Sequence, residues 1–182
     1  MATLESKRLS LRRWVDGDRE PFARINRNAA ALEFLPGALS RGESDEMVDR
    51  IEVHFEQHGF GLWATELREG AEFIGYIGLA VPRFEAAFTP CVEIGWRLAP
   101  EYWGRGLATE GARAVVRYAF EDLALPSLVS FTVPANLRSR RVMEKLGMTH
   151  DAQDDFNHPL LPPGHLLRRH VLYRLNREEW EA

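Results

Sequence analysis

Between Cys91 and Phe120 a strand-like run passes through a glycine turn into a helix, and no other stretch of the chain restricts the fold as tightly. Cys91 to Leu98 alternates, with Val92, Ile94, Trp96 and Leu98 on one face and Cys91, Glu93, Gly95 and Arg97 on the other. Gly104 and Gly106 then lead into Leu107, Ala108, Gly111, Ala112, Val115, Val116, Ala119 and Phe120. These form one apolar stripe at helical spacing, with Arg113 and Arg117 off it. A short β-rich run, Leu128 to Val133, follows between Pro126 and Pro134. Such strand–helix–strand units cross right-handed almost without exception.

The flanking pattern is mixed. Leu9 to Trp14 reads as a first strand, and Asp16-Gly17-Asp18 starts a helix that fades by Asn28. Glu33 to Gly42 reads as a loop. Ser44 or Asp45 starts a second helix, carrying Met47, Ile51, His54 and His58 at helical spacing and ended by Gly59. Phe60 to Leu67 and Phe73 to Val81 read as strands joined by a turn at Arg68 to Ala71. Asn136 to Leu146 reads as a helix closed by Gly147. Two more strands are expected near Met148 to Phe156 and Leu166 to Leu175, around a Pro-rich loop from Asn157 to His165. The expectation is one α/β domain over residues 1–182, mixed in type, with mainly antiparallel strands early.

Charge and cysteine usage narrow the partners. Lys plus Arg number 23 and Asp plus Glu 27 in 182 residues, a formal net charge of −4. That balance argues against general nucleic-acid binding, which needs a basic face. Cys91 is the single cysteine, so no internal disulfide forms, in keeping with a reducing compartment. It is expected as a small buried hydrophobe on its strand. The opening residues carry charges where a signal peptide places its apolar run. No apolar stretch approaches the roughly 20 residues of a bilayer span. The expectation is a soluble cytoplasmic protein with no membrane partner.

Gly104 and Gly106 remove side chains where the strand gives way to the helix. Backbone N–H groups there can point at an anion, helped by the helix N-terminus. The alternative is a helix cap with incidental glycines, and these residues alone leave both open. A P-loop needs Gly-Lys-Ser/Thr at the helix start, and none is here. A dinucleotide fingerprint fails at its third glycine, where Thr109 stands. The acidic residues near the required distance, Glu121 and Asp122, precede the next strand instead of following it. An NAD-dependent enzyme is therefore disfavoured.

Trp103-Gly104-Arg105-Gly106-Leu107-Ala108 resembles the acetyl-CoA signature of the GNAT N-acetyltransferase superfamily, Arg/Gln-x-x-Gly-x-Gly/Ala, with Trp103 in place of the usual first residue. Asn136 to Met148 resembles its second signature, an Asn-led helix ending in Glu144-Lys145-Leu146-Gly147. Glu93-Ile94-Gly95-Trp96-Arg97-Leu98 with Tyr102-Trp103-Gly104 looks like the branch of ribosomal-protein-alanine N-acetyltransferases. The resemblance implies the GNAT fold, a mostly antiparallel twisted sheet splayed between its fourth and fifth strands, here Cys91 to Leu98 and Leu128 to Val133. It implies acetyl-CoA as co-substrate, no metal, and an amine acceptor that is a protein N-terminus or a small molecule. The pantetheine arm is expected along Trp96, Arg97 and Leu98, and the pyrophosphate on Trp103, Gly104, Arg105, Gly106, Leu107, Ala108 and Thr109. Asn136 is carried over as a cofactor contact. Oligomeric state is left open, a homodimer included.

The implied reaction is direct acetyl transfer to an amine. Glu93 is the candidate base; the alternative is a strand glutamate paired with Arg97 or solvated. Many relatives place a tyrosine on the Asn-led helix to protonate the leaving thiolate, and this chain has Met143 there. Ser139 is the substitute, unless its hydroxyl only satisfies the backbone of the first helical turn. The missing tyrosine keeps a second reading open, a non-catalytic acetyl-CoA sensor. His54 and His58 are read as edge-of-core histidines, not metal ligands. Arg138, Arg140 and Arg141 are candidates for the 3′-phosphate or a solvated face. Trp14, Phe34 and the loop Phe156 to His165 are candidate walls of the acceptor pocket.

Overall fold

The structure, a computed structural model, describes residues 3–180. Its strands are β1 (Leu4–Glu5), β2 (Leu9–Arg12), β3 (Leu62–Leu67), β4 (Phe73–Ala80), β5 (Glu93–Leu98), β6 (Ser127–Thr132), β7 (Thr149–His150), β8 (Phe156–Asn157) and β9 (Arg169–Asn176). The helices are α1 (Asp16–Ile25), α2 (Arg41–His58), α3 (Leu107–Arg117), α4 (Leu137–Lys145) and α5 (Arg177–Trp180). The strands form one open sheet in the order β1-β2-β3-β4-β5-β6-β9-β7, with β8 beside β9. Every pairing is antiparallel except β5 with β6.

Local chemistry explains most boundaries. The second helix starts earlier than its apolar spacing predicts because Ser40 and Glu43 cap each other. The Glu43 amide donates to Ser40 Oγ at 3.2 Å, and the Ser40 amide donates to Glu43 Oε2 at 2.7 Å. The first strand stops at Arg12, two residues short of Trp14. There Asp18 accepts the Val15 amide at 2.9 Å and both Arg12 Nη groups at 2.7 and 2.9 Å, turning the chain into α1. The expected strand from Met148 to Phe156 is broken into β7 and β8 by a 3₁₀ turn at Ala152–Asp154, whose Asp151 side chain accepts the Gln153 amide. Cys91 lies just outside β5 and is half-buried, not a core residue.

Two faces of the sheet are covered differently. Ile77 and Trp96 are paired neighbours on the face that meets α3. A methyl at Gly111 would collide with Ile77 Cδ1 and press Leu9 Cδ1, so glycine sets how closely α3 lies on the sheet. Tyr76 and Arg97 are paired neighbours on the opposite face, where Phe22 of α1 meets the Tyr76 ring edge-on at 5.9 Å. Leu9, Leu11, Ile74, Ile77, Ile94 and Leu128 are all fully buried and join the two layers. A π-helical turn, Tyr118–Asp122, prolongs α3 and buries Ala119 and Phe120.

Candidate active site

The parallel strands β5 and β6 pair only at Glu93 opposite Val129, where the Val129 amide donates to the Val92 carbonyl at 3.0 Å. Beyond that step they part, so the β5 edge from Gly95 to Leu98 has no strand on its β6 side. The opening is the V expected between the fourth and fifth strands. It falls between β5 and β6 because the short Leu4–Glu5 strand is counted first. A cavity of about 540 Å³ fills it.

The glycine turn forms one end of the cavity. Gly104 and Gly106 take left-handed backbone conformations, φ 71° and 77°, which strain any other residue. Gly106 caps α3 and brings no side chain to the first turn. The amides of residues 104–109 find no hydrogen-bond acceptor among the described residues. Helix N-termini normally satisfy such donors with a capping side chain. Trp103 anchors the turn by donating from Nε1 to the Leu98 carbonyl at 2.8 Å. Arg8 anchors it from outside, through Nε to Glu110 Oε2 at 2.7 Å and Nη2 to the Arg105 carbonyl at 3.1 Å.

Of the expected cradle, Trp103, Gly104, Gly106, Leu107, Ala108 and Thr109 line the cavity. Arg105 is the exception; its guanidinium lies over the Tyr102 ring at 5.5 Å. Arg141 and Lys145 of α4 also line it. A neighbouring groove shares Gly106, Thr109 and Lys145 and adds Lys7, Arg8, Arg113 and Arg117.

Asn136 caps α4. Its Oδ1 accepts the Ser139 amide at 3.2 Å and its Nδ2 donates to Thr132 Oγ1 at 3.0 Å. The side chain thereby joins β6 to α4, which leaves one Nδ2 proton for anything else. Ser139 lines the same cavity, and Met143 reaches it from the core.

Glu93 sits at the apex. It points to the face of Gly95 and Arg97, and its Oε1 comes within 3.8 Å of where a Cβ on Gly95 would stand. The expected alternative, a pair with Arg97, is not formed: Arg97 Nη1 donates instead to Asn26 Oδ1 at 2.6 Å. No cation or donor among the described residues reaches the Glu93 carboxylate. It lines the cavity, and desolvation there pushes its pKa up to about 8. Glu93 in turn helps raise the neighbouring Cys91 thiol to about 11, mainly a burial effect.

The opposite wall comes from the connection between α1 and α2, through Ala30, Ala31, Phe34 and Leu35. By sequence Phe34 and Leu35 fall in the loop from Glu33 to Gly42, with Phe34 alone a candidate wall; Ala30 and Ala31 carry no signal of it. Arg138 holds it to α4: its guanidinium lies 4.5 Å from the Trp103 ring centre and pairs with Glu33 at 2.6 Å. Arg140 is engaged by Tyr173 Oη and the Pro134 carbonyl. Trp14 is not a wall but buried core, donating from Nε1 to the Leu62 carbonyl at 2.7 Å. The loop from Phe156 to His165 also stays outside the cavity; Phe156 packs on Phe131, whose ring centre is 5.5 Å away, and only Phe131 lines it. His54 is structural, bonded at Nδ1 to the Phe60 carbonyl at 2.8 Å and at Nε2 to the Val81 amide at 3.0 Å.

Residues 8–149 match the acetyltransferase (GNAT) domain family. The FsC-acetyl coenzyme A-N(2)-transacetylase of Aspergillus fumigatus is 43% identical over 126 residues, 67% of this chain and 52% of that protein. The chain thus spans about half the length of that relative. YnaD of Bacillus subtilis, an uncharacterized N-acetyltransferase, is 34% identical over 178 residues, 97% of this chain and 98% of its own. An acetyltransferase from Agrobacterium tumefaciens superposes with a TM-score of 0.77 at 29% identity, covering 97% of this chain and 95% of that one. The chain belongs to the GNAT acetyltransferase family. It is an N-acetyltransferase, of a family that uses acetyl-CoA.

Proposed function

We propose that this chain transfers the acetyl group of acetyl-CoA to a primary amine, with Glu93 as the base. The supporting observation is that the unpaired Glu93 carboxylate and the turn of Gly104 and residues 106–109, whose amides lack an acceptor, line one cavity. A diphosphate suits those amides, which lie at the positive end of α3. The pantetheine arm is an extended amide chain and suits the unpartnered edge of β5, main chain to main chain. Arg141 and Lys145 face the phosphates, and the groove around Arg8 and Arg113 offers cations to the 3′-phosphate.

The acceptor arrives as an ammonium and must lose a proton before it attacks. Ionised Glu93 takes that proton. With Glu93 at about 8, the transfer from an α-amine of pKa about 8 is nearly balanced, whereas from a lysine of about 10.4 it costs about 3 kcal/mol. This proton balance favours a weakly basic amine. The amine nitrogen bonds to the thioester carbonyl carbon, and a β5 backbone N–H donates to the oxygen where charge builds. As the C–S bond breaks, the Ser139 hydroxyl donates to the departing sulfur, which takes the second amine proton and leaves as a free thiol. The Aspergillus relative is named for transfer to an N(2) position, that is, to nitrogen.

Thiol release from acetyl-CoA with a set of primary amines tests the reading. Release above the hydrolysis background supports it. No release with any amine, while CoA still raises the unfolding temperature, rejects it.

A further inference from the structure

We propose that Arg97 recognises a carboxylate on the acceptor, so that the enzyme acts on small, peptide-like acids whose amine lies at Glu93 and whose carboxylate lies at Arg97. The inference rests on the transferase reading and names the substrate class of that site.

Arg97 is a cation lining the cavity, toward the cradle end of β5, with no anion of its own. Its one hydrogen bond, from Nη1 to Asn26 Oδ1, goes to a neutral amide, and its guanidinium lies 5.6 Å from the Tyr76 ring centre. Among the described residues no carboxylate pairs with it. That distinguishes it from Arg8, Arg12, Arg13, Arg19 and Arg138, each of which is held by an acid. A guanidinium has five N–H donors, and most of those on Arg97 are unused. A guanidinium with free donors that lines a ligand cavity can take a carboxylate in two parallel hydrogen bonds.

Spacing sets the size of that ligand. Glu93 and Arg97 are four residues apart on one face of β5, with Gly95 between them leaving the floor open. Strand rise puts their Cα atoms about 13 Å apart, and side chains reaching toward a ligand between them leave it a span on the order of 10 Å. Three extended residues span about 10 Å. A tripeptide-sized acid fits, with a weakly basic α-amine at one end and a carboxylate at the other. The wall of Ala30, Ala31, Phe34 and Leu35 leaves the middle of the ligand in apolar surroundings. Polyamines, by contrast, would place a second cation beside Arg97.

The test compares triglycine, triglycinamide, glycine and spermidine as acceptors, with the intact chain and saturating acetyl-CoA. Triglycine is expected to exceed triglycinamide by about tenfold in kcat/KM, the effect of one charge-assisted pair, and to exceed glycine and spermidine by more. Arg97→Gln, which keeps a donor for Asn26, should collapse the acid-over-amide preference, and Arg97→Lys should restore part of it. Equal rates with triglycine and triglycinamide in the unaltered enzyme overturn the inference and leave the transferase reading standing. So does an equal loss on both acceptors in Arg97→Gln. Thiol release from none of the four, and from none of the broader amine set, rejects the transferase reading and this inference with it.

Discussion

Glu93 stands opposite Val129 at the one step where β5 and β6 meet among the described residues, so the carboxylate marks the apex of the V. The strands separate on one side of this pair, and Phe84 and Phe88 of the loop between β4 and β5 pack on Phe131 just beyond it. A titratable group at that apex lies between the two strands at the edge of the cavity, where it is desolvated without being paired.

That placement makes Glu93→Gln informative. The variant should lose about a hundredfold or more in kcat, the usual contribution of a positioned base. The unaltered enzyme should gain kcat/KM for the acceptor as pH rises through about 8, where Glu93 ionises, and Glu93→Gln should lose that limb. The stability sign is opposite. A folded-state pKa raised above the unfolded value favours the protonated fold, so stability is lost as pH rises from about 4.5 through about 8. Glu93→Gln should therefore unfold at a higher denaturant concentration than the unaltered protein at pH 9. A lower midpoint there would contradict the desolvation account.

Gly106 should separate conformational strain from ligand binding. At φ 77° an alanine costs about 1–2 kcal/mol, with no steric clash, since the nearest atom to a new Cβ is Arg8 Nη2 at 3.8 Å. Gly106→Ala is expected to lower the unfolding temperature by a few degrees. Gly106→Glu adds an anion beside the free amides and should abolish the thermal shift produced by CoA while the protein still folds. A full CoA shift in Gly106→Glu would place the nucleotide elsewhere.

Asn136 carries two tasks that single substitutions can split. Asn136→Ala removes the α4 cap and the bond to Thr132, a loss of about 1 kcal/mol or more. Asn136→Asp keeps an acceptor for the Ser139 amide but not a donor to Thr132. Calorimetry should rank unfolding temperatures as Asn, then Asp, then Ala. Equal stability of all three would show that the cap contributes nothing.

His54 predicts the acid side of the stability profile. Its Nε2 accepts the Val81 amide, so the folded state requires the neutral ring, and burial pulls its pKa below the ordinary histidine value. Burial also lowers His158 and His170. The unfolded chain therefore takes up protons first, and stability held above about pH 6.5 is lost as pH falls toward the folded-state values. Denaturant midpoints at pH 7.5 and 5.5 should differ in this direction, and less so in His54→Gln. An unchanged difference in His54→Gln would clear this histidine of the effect.

Much of the architecture was legible in the chain because it rests on local rules. The stripe from Leu107 to Phe120, the glycines that punctuate it, and the Asn136 cap with its Gly147 stop each act within a few residues, so periodicity and backbone preference suffice to find them. Helix α2 began early because Ser40 and Glu43 cap it from outside the apolar pattern, a reciprocal bond that spacing of hydrophobics does not register. What the sequence alone could not decide was the company each side chain keeps. Glu93 and Arg97 share a strand face and were equally compatible with a mutual ion pair; Asn26, 71 residues away in sequence, takes the guanidinium and leaves the carboxylate bare. Trp14, at the end of the expected first strand, and Phe34, in a loop, are both candidate pocket walls by sequence, yet the packing of α1 buries one and the α1–α2 connection brings the other to the cavity. Local interactions write elements into the sequence, whereas charge state and access depend on neighbours that only the folded chain brings together.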